Sequence, residues 1–85
     1  MKVLIPSALQ SYTRQAWVEA QGETLDAVLA DLERQYAGIR FRMIDEQDRM
    51  RANMRFFVGG AAVFDLAHAM RPTDTLHIVQ ALSGG

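Results

Sequence analysis

The chain has 85 residues, 49% of them apolar and 22% charged, which is the composition of one small globular domain. Nine basic against ten acidic side chains leave a net charge of −1. That balance excludes the basic excess of a general nucleic-acid binder and of a membrane-surface protein. With no cysteine, disulfides, thiolate chemistry and Cys-based metal sites are excluded as well. The apolar run at the start stops at Pro6, too early for a signal peptide, and no stretch approaches transmembrane length, so a cytoplasmic protein is expected.

Lys2 to Ile5 reads as a first strand, ended by Pro6-Ser7. Ala16 and Val18 alternate with Gln15, Trp17 and Glu19, which predicts a second, antiparallel strand over Arg14 to Glu19. Pro6 to Thr13 connects the two, with Leu9 and Tyr12 placed to tuck back onto the core. Gln21-Gly22-Glu23 breaks the strand, and the Thr24 hydroxyl suits a helix N-cap. Leu25, Val28, Leu29, Leu32 and Tyr36 follow at helical spacing and form one apolar face. Asp26 lies where the helix dipole favours an anion, and Gly38 suits the position just past the helix end.

Ile39 to Ile44 predicts a short helical turn, followed by a polar loop to Asn53. Met54 to Val58 reads as a third strand, Gly59-Gly60 as a turn and Ala61 to Phe64 as a fourth strand. Asp65 to Met70 is too short to assign. After the Arg71–Asp74 turn comes the last strand, Thr75 to Leu82, with Leu76, Ile78, Gln80 and Leu82 on one face and His77, Val79 and Ala81 on the other. The order β-β-α-β-β-β with one long helix predicts an α+β roll. In it a mixed sheet of four to five strands packs on one main helix, with the last strand beside the first. Residues 1–82 form the domain and 83–85 a flexible tail.

That tail ends Leu82-Ser83-Gly84-Gly85. Lacking Cβ atoms, Gly84 and Gly85 can thread a narrow channel and present the Gly85 α-carboxylate at the tip of a thin tether. From Ala81 to Gly85 an extended chain reaches roughly 15 Å. A carboxylate so placed can be adenylated by ATP and passed to a nucleophile. The chain supplies no general base and no metal site of its own, so it reads as a carrier and not an enzyme, with no bound cofactor. His77 and Val79 beside the tail are candidates for a partner-docking patch; Phe57 and Trp17 are candidates to extend it, with core packing expected for at least one of the two. His68 and His77 lack a third ligand at metal spacing. The arginines between Arg40 and Arg55 are offset by Asp45, Glu46 and Asp48 and read as a solvated loop. The five methionines read as gap-fillers in the core.

The strand order with a Gly-Gly end is the β-grasp, or ubiquitin-like, pattern. Residues Thr75 to Gly85 resemble the end of ubiquitin, TLHLVLRLRGG. The whole chain resembles the MoaD/ThiS family of sulfur carriers, especially its CysO-like branch. The shared features are Ile5-Pro6, Gly22 with Thr24-Leu25, Asp31-Leu32-Glu33, Tyr36, Gly38-Ile39, Asp74 and the terminal Gly84-Gly85. The chain departs from the family in Gly59-Gly60 and in a tail that reads Ala-Leu-Ser-Gly-Gly, and from ubiquitin in lacking both tail arginines, at Ala81 and Ser83.

The resemblance implies a partner adenylyltransferase, like a ubiquitin-activating enzyme, that uses ATP to activate Gly85. It implies a sulfur donor, either a sulfurtransferase or a persulfide, that converts the adenylate to a thiocarboxylate, and a biosynthetic enzyme that accepts the sulfur. Leu82, Ser83, Ala81, Val79, His77 and Phe57 are then the partner-binding residues, and Gly84 and Gly85 the reacting end. No nucleic acid or membrane is expected as a partner, and the free chain is expected to be monomeric. The alternatives are a ubiquitin-like modifier joined to lysines, the small subunit of a molybdopterin synthase, and a β-grasp binding module with a passive tail.

Overall fold

The computed structural model describes residues 1–81. Five strands form one mixed sheet: β1 (Lys2–Leu4), β2 (Trp17–Glu19), β3 (Met54–Val58), β4 (Ala61–Val63) and β5 (Thr75–Gln80). Three helices accompany them: α1 (Gln10–Thr13), entered through a 3₁₀ turn at Ser7–Leu9, then α2 (Leu25–Gln35) and α3 (Ile39–Met43). The spatial order is β2-β1-β5-β3-β4. The hairpins β1–β2 and β3–β4 thus flank β5, which runs parallel to β1 and antiparallel to β3. Among the described residues no helix is long and apolar enough to cross a membrane.

The two-residue strand period sorts side chains to two sides. Val3, Val18, Met54, Phe56, Val63, Leu76 and Ile78 are buried and cluster with Leu25, Val28, Leu29 and Leu32 of α2. Ile39, Met43 and Ile44, all fully buried, belong to the same cluster. Each such side chain contributes about 1.5–3 kcal/mol by leaving water.

Several boundaries differ from those the sequence predicts. The connection from Pro6 to Thr13 is helical, because Leu9 and Tyr12 both pack on the core and a compact turn brings them there. Arg14 ends α1 in the left-handed region (φ 61°), and the Thr13 hydroxyl donates to the Gln15 carbonyl at 2.6 Å. The second strand therefore starts at Trp17 and not at Arg14. The Thr24 cap forms as expected, its Oγ1 accepting from the Ala27 N–H at 3.1 Å. The N–H groups of Leu25 and Asp26 donate to the carbonyls of His68 and Leu66, both at 2.9 Å. The segment left unassigned thus satisfies donors that a helix start otherwise leaves unpaired.

Helix α2 ends earlier than its apolar stripe predicts. Tyr36 is its C-cap, and Gly38 (φ 96°) is the N-cap of α3 rather than the residue just past α2. The Glu33 carboxylate accepts from the N–H groups of Gly38 (2.8 Å) and Arg40 (2.9 Å), which fixes the turn between the helices. Between β3 and β4, Gly59 (φ 58°) and Gly60 (φ 83°) are both left-handed, as a two-residue hairpin of this hand requires. The strand β5 is described to Gln80, after which the Ala81 N–H donates to the Asn53 carbonyl at 2.7 Å. The strand thus stops before Ala81, short of the expected extension, and Leu82 lies outside the described residues.

Candidate functional site

One face of the sheet buries its side chains with those of α2; the other, the open face, carries half-buried and exposed side chains among the described residues. The register places a single row across all five strands of the open face: Trp17 opposite Leu4, Leu4 opposite His77, His77 opposite Phe57, and Phe57 opposite Ala62. One step further along β5, toward the tail, Val79 lies opposite Arg55. One step the other way, Lys2 lies opposite both Glu19 and Thr75. The Trp17 ring reaches past Leu4 to meet the His77 imidazole edge-on, with centroids 5.7 Å apart and planes at 67°.

This face holds exposed apolar surface. Trp17 is 46% exposed and Val79 42%. They are two of the four large apolar side chains that stand in solvent among the described residues, the others being Phe64, just past β4, and Phe41 on α3. A contiguous apolar patch with a polar rim is the usual mark of a protein-binding surface. The rim consists of Lys2 and Glu19 at one end and Arg55 at the tail end. The Arg55 guanidinium donates through one nitrogen to the carbonyls of Ala52 (2.7 Å) and Met54 (2.8 Å).

Part of the remaining charge is paired within the molecule. Arg40 pairs with Asp26 (2.8 Å) and Asp48 (3.5 Å), and the Asp26 hydrogen bond is the main reason its pKa is raised. Arg49 lies 3.7 Å from Asp45, and Arg51 stacks over the Phe41 ring at 4.5 Å. The acids of the arginine-rich loop thus pair with two of its arginines, Arg40 and Arg49.

Of the residues singled out from the sequence, the structure brings Phe57, His77 and Val79 together on the open face and places Trp17 with them; neither Phe57 nor Trp17 joins the core, where at least one was expected, because both fall on the strand parity that faces away from α2. Ala81 is exposed at the base of the tail, one residue past β5. Leu82, Ser83, Gly84 and Gly85 lie outside the described residues. Sequence reasoning missed Leu4, Ala62 and Arg55. The alternation of Val3, Leu4 and Ile5 carries the signal for Leu4. The positions of Ala62 and Arg55 depend on pairing between strands and have no local signal.

An exposed apolar row with a charged rim suits docking of another protein. The ThiS family model matches residues 3–85. The sulfur carrier protein CysO of Mycobacterium tuberculosis is 35% identical over 89 residues, covering 98% of this chain and 96% of that protein. Among solved structures, the Amycolatopsis orientalis BexX/CysO complex matches with a TM-score of 0.91 and 31% identity, over 99% of this chain and 98% of that one. The small archaeal modifier protein 1 of Methanosarcina acetivorans shares the fold, with a TM-score of 0.82 at 18% identity, over 99% of this chain and 94% of that one. A core of one helix on a five-stranded mixed sheet, matched along nearly its whole length, makes this chain a ubiquitin-like β-grasp protein that belongs to the ThiS family.

Proposed function

We propose that this chain is a sulfur carrier whose reacting group is the Gly85 carboxylate. The observation that carries the reading is the placement of β5. The strand that bears His77 and Val79 on the open face runs directly into the Gly-Gly end. A partner that docks on that face is therefore in register with the tail. The two mycobacterial and amycolatopsis relatives bear the name CysO, and the second is described in a complex with another protein. Both support a carrier that works by docking.

A carboxylate oxygen of Gly85 attacks the α-phosphorus of ATP, the bond to the β-phosphate oxygen breaks, and pyrophosphate leaves. A hydrosulfide then attacks the acyl carbon of the adenylate, AMP leaves with the C–O electron pair, and the proton passes to solvent, giving a thiocarboxylate. When the donor is a protein persulfide, a thiol must also cleave the resulting acyl disulfide. The thiocarboxylate is then surrendered to a biosynthetic enzyme making a cofactor or an amino acid. The partner adenylyltransferase supplies ATP binding and catalysis. This chain supplies the tail, the docking face and a core that holds β5 still, and it acts as a monomer in the cytoplasm.

The test is the intact mass of the full chain after incubation with its adenylyltransferase, ATP and a sulfur donor. The expected product has one sulfur in place of one oxygen on the C-terminal peptide, and a chain lacking Gly85 does not form it. A C-terminus that stays unmodified overturns the carrier reading. A ladder of conjugates to lysines of other proteins replaces it with a protein modifier, and a stable complex with one large partner replaces it with a synthase subunit.

A further inference from the structure

Among the described residues, the register puts one charged side chain, Arg55, at the tail end of the open face, and its surroundings give it a specific task. We propose that Arg55 sets the register between carrier and activating enzyme by pairing with a carboxylate at the mouth of the channel that receives the tail. The inference rests on the carrier reading above and goes beyond it by naming the partner's chemistry at one point.

Three observations converge on Arg55. It stands opposite Val79 on the open face, between the apolar row and the tail. Its guanidinium is held by the carbonyls of Ala52 and Met54, which flank Asn53, and the Asn53 carbonyl holds the Ala81 N–H at 2.7 Å. The charge is thus fixed beside the point where the tail leaves the sheet. Lastly, the acids that pair with Arg34, Arg40 and Arg49 do not reach it; among the described residues Arg55 has no carboxylate within ion-pair distance.

The tail offers no substitute, because Ala81, Leu82, Ser83, Gly84 and Gly85 have no charged side chain. A guanidinium pre-oriented by two hydrogen bonds loses little freedom on binding and presents its remaining N–H groups as a fork that fits a carboxylate. Apolar contacts alone tolerate a slip along the strands. One ion pair beside the channel mouth does not, and it also speeds encounter through charge.

The experiment measures ATP–pyrophosphate exchange by the cognate adenylyltransferase as a function of carrier concentration. The carriers are the full chain and its Arg55→Lys, Arg55→Ala and Arg55→Glu variants. Replacing Arg55 by Glu is expected to raise KM for the carrier by about 10-fold or more with kcat little changed, while Lys retains most of the affinity. Raising the salt concentration should weaken the wild type more than the Ala variant. Thermal melting of all four separates a docking effect from lost support of the Ala52–Met54 backbone. An Arg55→Glu KM equal to wild type, or a KM that follows melting temperature and is not rescued by Lys, overturns the proposal. No exchange with the wild type overturns the carrier reading itself, and this proposal with it.

Discussion

The two faces of the sheet are built from the same strands, often from adjacent residues, yet they do opposite work. Phe56 and Phe57 are neighbours on β3; the first is 1% exposed under α2 and the second stands half-buried on the open face opposite His77. On β5, Leu76 and Ile78 are buried while Val79 is 42% exposed. What separates them is where α2 lies. The helix-covered face stabilises the fold, and the open face retains apolar groups that folding alone does not need to expose. An apolar side chain left in water opposite other apolar side chains is consistent with a surface covered by a partner.

The sharpest way to break this comparison is to truncate one residue on each face. Phe56→Ala removes a fully buried ring and should destabilise by about 4 kcal/mol, measured by urea unfolding. Phe57→Ala should cost about 1 kcal/mol, since part of its ring is already in water. Docking should show the reverse order. With the protein kept folded, Phe57→Ala and Trp17→Ala should raise the KM for carrier in pyrophosphate exchange by about 10-fold, as truncation of an aromatic anchor does. Equal stability losses for Phe56→Ala and Phe57→Ala would refute the division of labour.

The next two predictions probe the helix that creates the covered face. A Cβ at Gly22 would lie 2.5 Å from the Val28 nitrogen and 2.7 Å from the Ala27 carbonyl carbon, both backbone atoms that cannot turn aside. Gly22→Ala must push the start of α2 away from the sheet, and about 2 kcal/mol of destabilisation is expected in the same urea assay. Thr24→Ala removes the side chain that caps the Ala27 N–H and should cost about 1 kcal/mol. A neutral Gly22→Ala would mean that α2 can move without cost, and the covered face would lose its claim to rigidity.

What was legible in the sequence follows a physical rule. The Thr24 cap, the 25-28-29-32 stripe, the Gly59-Gly60 turn and the alternation along β5 are encoded within a few residues of themselves, because capping, helical period and turn conformation are local. The early end of α2 was not, because Glu33 commits its carboxylate to the start of α3 and the chain turns at Tyr36. Nor was the use of the Leu66 and His68 carbonyls to satisfy the helix start, which joins segments some forty residues apart in sequence. Of the docking face, His77 and Val79 could be named from their place near the tail, and Phe57 as an aromatic able to add apolar surface. Leu4, Ala62 and Arg55 join them only once β1, β4 and β3 are set in register around β5.

The smallest expected effect concerns pH, and it too belongs to the covered side. The Gln21 N–H at 2.9 Å, aided by Arg34, holds the Asp31 carboxyl below its ordinary pKa. The N–H groups of Gly38 and then Arg40 do the same for Glu33. In both cases the folded state binds the proton less readily than the unfolded chain. The stability these groups contribute is therefore complete at neutral pH and declines from about pH 5 downward, as the unfolded chain takes up protons first. Urea midpoints measured between pH 7 and pH 3 should fall for the wild type. The fall should be shallower for Asp31→Asn and for Glu33→Gln, both of which start from a lower stability at pH 7. Asp31 ties the strand exit at Gln21 to α2, and Glu33 ties α2 to α3, so a flatter acid limb in either variant would locate part of the pH response in the joints that hold the helix over the sheet. Curves parallel to the wild type in both variants would show that these carboxylates, despite their hydrogen bonds, contribute no net stability.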